Sequence, residues 1–105
     1  MLAEILRHRD TLAVLCRQHG VARLEVFGSA ARGANFDPAR SDIDLLIEFA
    51  PDTQRSFARL LAFEEDAARA LARPVEVVER RAIEESANYI RRRRILAEAE
   101  ALCVG

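Results

Sequence analysis

Asp42 and Asp44 stand two positions apart in a run where Ile43, Leu45, Ile47 and Phe49 alternate with Asp42, Asp44 and Glu48, the period of a half-buried strand. Side chains two apart on a strand leave the same face, about 7 Å apart at the backbone. Two carboxylates can close that spacing onto one divalent cation. Alone, Asp-x-Asp at a strand end reads as a solvated strand margin. Its context changes the reading, because Gly28 and Ser29 follow a short strand and open a turn whose N–H groups and hydroxyl suit a phosphate. Glu76, on the polar side of a third strand, brings another carboxylate. Clustered carboxylates repel one another unless divalent cations occupy them. Metal beside phosphate means phosphoryl or nucleotidyl transfer, and Mg²⁺ suits such a site because it takes one or two protein carboxylates and completes its octahedron with phosphate oxygens and water.

The elements that must position these groups follow from the pattern. Residues 2–19 carry Leu2, Ile5, Leu6, Leu12, Leu15 and Cys16 at helical steps, and Gly20 then stops the helix. Residues 22–27 alternate as a strand ending at Gly28, and a loop with one helical turn over residues 29–32 leads to the strand over residues 42–49, whose polar face only Leu46 interrupts. Pro51 and Asp52 read as the entry of a helix over residues 52–72, closed off by Pro74. A strand over residues 75–79 and a last helix over residues 80–102 complete the order αβ(loop)βαβα. The loop turns the second strand back antiparallel beside the first, and the long helix acts as a crossover that returns the third strand parallel to the second. That topology brings Glu76 level with Asp42 and Asp44 at one end of a small mixed sheet. The fold class is α+β, with residues 1–105 forming one domain.

Composition narrows the rest. Of 105 residues, half are hydrophobic, and 17 acids against 16 bases leave a net charge of −1, so the excess charge that drives nonspecific nucleic-acid binding is missing. Direct nucleic-acid binding is not expected. No apolar run approaches the ~20 residues that cross a bilayer, and the opening residues mix Leu and Ile with Glu4, Arg7, His8 and Arg9, unlike a signal peptide. The expectation is a cytoplasmic protein away from membranes, as a monomer or a homo-oligomer. Cys16 and Cys103 fall in stretches that read as helices, without metal-ligand spacing, and are expected as buried reduced thiols. Arg91 to Arg94 points around more than a full helical turn and reads as a solvated face. Arg32, beside the Gly-Ser turn, is placed to neutralise triphosphate charge. His8 and His19 read as surface histidines, and Tyr89 as packed on the last helix.

Phe27-Gly28-Ser29-Ala30-Ala31-Arg32-Gly33, followed by Ser41-Asp42-Ile43-Asp44-Leu45-Leu46-Ile47-Glu48-Phe49, resembles the signature of the minimal nucleotidyltransferases of the DNA polymerase β superfamily, and the resemblance covers nearly the whole chain. It implies the polymerase β-like nucleotidyltransferase fold. It further implies that Gly28 and Ser29 hold the triphosphate of ATP, that Asp42 and Asp44 ligate Mg²⁺, and that Glu76 takes a third carboxylate position where the family usually carries Asp. The segment from Gly33 to Ser41 is slightly longer than in many relatives. Similar proteins act as antitoxins of small helical HEPN ribonuclease toxins, some by transferring AMP from ATP to a toxin tyrosine. The resemblance thus implies a protein adenylyltransferase with a HEPN toxin as partner. The alternative is a module with a weakened site that silences its partner by contact alone, and Glu76 is the residue that divides the two.

Overall fold

Residues 2–32 and 42–104 are described in the computed structural model of the chain. The loop expected from Gly33 to Ser41, with Arg40, lies outside them. Among the described residues are six helices and one four-stranded sheet. In chain order these are α1 (Ala3–Arg7), α2 (Arg9–His19), β1 (Val21–Phe27), α3 (Ser29–Arg32), β2 (Ile43–Phe49), α4 (Phe57–Leu71), β3 (Val75–Glu79), α5 (Arg80–Glu84), α6 (Tyr89–Glu98) and β4 (Glu100–Val104). The sheet order is β3-β2-β1-β4, with β1 antiparallel to β2 and β4, and β2 parallel to β3. The antiparallel return and the parallel crossover thus stand as the sequence implies.

Alternation along β2 divides the core. Ile43, Leu45, Ile47 and Phe49 join Leu24, Val26, Val75 and Val77 against Leu12 and Cys16 of α2 and Phe63, Ala67 and Leu71 of α4. Leu46, the exception on the polar side, is fully buried with Phe27, Ile83 of α5 and Ile95 of α6. The sheet is therefore covered on both faces, and the second, smaller cluster explains why a leucine interrupts the acidic face. Buried Glu25 lies in that layer, its carboxylate paired with Arg80 and 3.2 Å from Arg23. On the β3 edge, Glu64 of α4 accepts the Val77 N–H at 3.0 Å, which satisfies a strand donor the sheet leaves unpaired.

Several boundaries differ from the sequence expectation. The first helix breaks at His8, whose Nδ1 stands 2.9 Å from the Glu4 carbonyl oxygen. The helix expected from Asp52 begins at Phe57, because Thr53 N–H closes a turn onto Ala50 and the Ser56 side chain caps the helix by accepting Arg59 N–H at 3.1 Å. The helix expected over residues 80–102 is α5, α6 and β4. Asn88 caps α6 by accepting Arg91 N–H, and after Ala99 the chain turns extended to pair with β1, burying Leu102. Cys103 accordingly lies on a strand, close to Cys16 rather than in a separate helix; both thiols are free, and burial pushes that of Cys16 up to about 12. His19 is not a surface histidine: its Nε2 lies 2.7 Å from Asp66 and its ring packs edge-on to Phe63. Tyr89 is exposed rather than packed. No helix among the described residues is long and apolar enough to cross a membrane.

Candidate active site

Register decides which chemical groups meet. Phe27 pairs with Asp44 across β1 and β2, and Asp44 pairs with Glu76 across β2 and β3, so these three residues form one row across the sheet. Strands in such a row are about 4.8 Å apart and paired residues share a face. Asp44 and Glu76 therefore project together toward α6, on the side opposite the larger core. The chain leaves β1 immediately after Phe27, which puts the Gly28-Ser29 turn at the same end of the sheet.

Gly28 is fixed by this proximity. Its φ is +72°, which favours glycine, and a Cβ there would lie 2.6 Å from Asp44 Oδ2, so any side chain would push the carboxylate aside. Its carbonyl accepts the N–H groups of Ala31 and Arg32 and starts α3. Burial, the charges of Glu76 and Asp42, and a hydrogen bond shared with Glu76 push the Asp44 carboxyl up from its ordinary 3.8 to about 6.

A cleft of about 710 Å³ opens over this row, within the size range of small-molecule sites. Gly28, Ser29, Arg32, Asp44 and Glu76 all line it, so five of the six residues singled out from sequence share one cavity. Asp42, exposed and one position ahead of β2, does not line the cleft and reaches Asp44 through its charge. Among the described residues no three carboxylate, imidazole or thiol groups are gathered into a ready-made metal cage. The expected convergence of three carboxylates is therefore an Asp44–Glu76 pair with Asp42 beside it. All three are hard oxygen donors, and the charges of Glu76 and Asp42 both act against that of Asp44, a donor set that fits Mg²⁺, a cation that needs only one or two protein carboxylates and takes its other ligands from phosphate and water.

The opposite wall was not legible as a site. Asn88, Ile90, Arg91, Arg94, Ile95 and Glu98 of α6 and its cap face the carboxylates. Glu98 accepts from Arg32 at 2.7 Å and lies 3.6 Å from Arg94, so Arg32 is held to α6 as well as standing by the turn. The arginine run expected to be a solvated face is thus split: Arg92 lies over the Tyr89 ring and donates to the Ser86 carbonyl, and Arg93 donates to the Tyr89 hydroxyl. The three-residue spacing of Arg91 and Arg94, one helix face, is the signal that could have separated them.

The sequence model of the nucleotidyltransferase domain family matches residues 8–100. Among solved structures, one described as a minimal nucleotidyltransferase is 33% identical, with 95% of each chain covered and a TM-score of 0.71. A toxin-antitoxin complex with AMP-PNP aligns at 19% identity over 92% of this chain and 73% of that one, with a TM-score of 0.68. The tri-AMPylated Shewanella oneidensis HEPN toxin in complex with its MNT antitoxin aligns at 17% identity over 94% and 71%, with a TM-score of 0.63. At such identities the last two likenesses are of fold. No curated protein matches the chain.

Proposed function

The chain belongs to the nucleotidyltransferase domain family, and on that premise we propose that it transfers AMP from ATP to a tyrosine hydroxyl of a HEPN-type toxin, acting as the toxin's antitoxin. The observation that carries this reading is the row Phe27-Asp44-Glu76, with the Gly28 backbone so close to Asp44 that a side chain would strike its carboxylate. A phosphate bound at the Gly28-Ser29 turn would then lie beside the carboxylates, as nucleotidyl transfer requires. The fold likeness to antitoxins in complex with toxins, one with AMP-PNP and one with an AMPylated toxin, supports the choice of donor and acceptor.

In this reading Gly28, Ser29 and Arg32 bind the triphosphate, and Asp42 and Asp44 would hold Mg²⁺. When bound, the cation would supply positive charge to the phosphates and orient them. Glu76 accepts the proton of the attacking tyrosine hydroxyl. The tyrosine oxygen forms a bond to the α-phosphorus as the bond to the pyrophosphate oxygen breaks, leaving an AMP ester and pyrophosphate. The Ser29 hydroxyl donates to a phosphate oxygen as charge moves onto the leaving group.

The test is intact mass spectrometry of a HEPN-type toxin co-purified or co-expressed with the chain, after incubation with the chain, Mg²⁺ and ATP. A gain of one or more AMP groups, mapped to tyrosine and reduced by Ser29→Ala, supports the reading. Silencing of the toxin without an adduct contradicts it and favours neutralisation by contact alone.

A further inference from the structure

The cleft has two walls of opposite charge. Asp44 and Glu76 stand on the sheet side, and Arg91 and Arg94 on the α6 side, and the Gly28-Ser29 turn lines the same cleft. Both arginines are exposed on α6. Arg94 shares Glu98 with Arg32, and Arg91 makes no ion pair among the described residues, so its guanidinium is available to an anion. Arg92 and Arg93, next to them in the chain, are turned to Ser86 and Tyr89.

We propose that Arg91 and Arg94 are the phosphate grip of the nucleotide site, holding the triphosphate from the α6 wall, across the cleft from Asp44 and Glu76. This rests on the nucleotidyltransferase reading and adds to it two binding residues outside the Gly-Ser and Asp-x-Asp segments. A triphosphate carries several negative charges, and the sheet wall offers it Asp44 and Glu76, which repel it. Arg32 alone cannot balance them, since Glu98 already neutralises part of its charge. Guanidinium groups bind phosphate oxygens in a two-point fork, and residues three apart on a helix present two such forks on one face. Glu98, one turn further along that face, is the anion the phosphates displace from Arg94.

The test is calorimetric titration of ATP with Mg²⁺, and of adenosine, into the parent, Arg91→Gln, Arg94→Gln, the double variant and Arg93→Gln, each checked for an unchanged melting temperature. A hydrogen bond between charged groups predicts a loss of ATP affinity of about tenfold for each single variant, and on the order of a hundredfold for the pair. Adenosine affinity and the Arg93→Gln variant should stay at the parental level. Equal loss of ATP and adenosine would mean that the arginines shape the cleft, and would overturn the proposal. If Asp42→Asn with Asp44→Asn abolishes Mg-ATP binding while the double arginine variant retains it, the proposal falls and the nucleotidyltransferase reading stands. A parent that binds no Mg-ATP would overturn both.

Discussion

Asp44→Asn should make the protein more stable, and only above about pH 4, where the same carboxyl begins to ionise in the unfolded chain. In the folded chain burial, the Glu76 and Asp42 charges and the hydrogen bond with Glu76 raise this carboxyl from 3.8 to about 6. The folded state therefore binds a proton more tightly than the unfolded state, so between these values the folded state holds more protons and stability falls as pH rises. The penalty is absent below about pH 4, grows through pH 4–6 and is complete by about pH 7. Each tenfold in proton affinity is worth about 1.4 kcal/mol, so this rise corresponds to at most about 3 kcal/mol. Screening at a half-buried carboxyl brings it to about 1–2 kcal/mol. For a chain of this size each kcal/mol moves the melting temperature by about 4–8 °C. Thermal unfolding of the metal-free parent and of Asp44→Asn at pH 4, 6 and 8 reads this directly. The variant should gain at pH 8 and show little difference at pH 4, while losing stabilisation by Mg-ATP. A variant no more stable than the parent at pH 8, or with the same gain at both extremes, would refute the electrostatic account.

Two further substitutions probe the frame of the site. Gly28→Ala forces a side chain into left-handed backbone at φ +72° and against Asp44 Oδ2 at 2.6 Å, and should cost about 1–2 kcal/mol in denaturant unfolding together with at least tenfold in Mg-ATP affinity; retention of both would contradict the proximity of the turn to the carboxylate. Arg80→Met removes the main partner of Glu25, whose side chain is 4% exposed. Leaving that carboxylate with Arg23 alone should cost about 2–3 kcal/mol at pH 7, and a loss below about 1 kcal/mol would show that the pair contributes little to the small cluster beneath α5 and α6.

Much of the site was legible because it rests on period-two alternation and crossover geometry. Ile43, Leu45 and Ile47 mark one face of β2, which sends Asp44 to the other, and the helix between β2 and β3 makes the strands parallel, which brings Glu76 beside it. Neither the alternation nor the crossover depends on packing. Leu46 already signalled that the acidic face is partly covered, but only its contacts with Phe27, Ile83 and Ile95 show by what. The fourth strand was hidden because Glu100, Ala101 and Leu102 continue the helical composition of α6, and it is pairing with β1 that holds them extended. The α6 wall escaped for the same reason. A run of four arginines carries no orientation until Asn88 sets where the helix starts and Ile95 which face is buried. Ser56 likewise outcompetes Pro51 and Asp52 as a helix start through a side-chain cap that composition alone does not rank.

The account stands or falls on whether the Asp44–Glu76 pair is a reaction centre, with Asp42 and Asp44 delivering Mg-ATP and Glu76 acting on the attacking hydroxyl. The direct measurement is AMP transfer to the partner toxin by Glu76→Gln, set beside its Mg-ATP affinity. Loss of a group that takes a proton in the transition state lowers turnover by about 100-fold or more while leaving ground-state binding nearly intact. The predicted result is Mg-ATP binding within about threefold of the parent, on the scale where 1.4 kcal/mol is tenfold, with transfer reduced below one-hundredth. Transfer at the parental rate would show that Glu76 takes no part in the chemistry and would contradict the account.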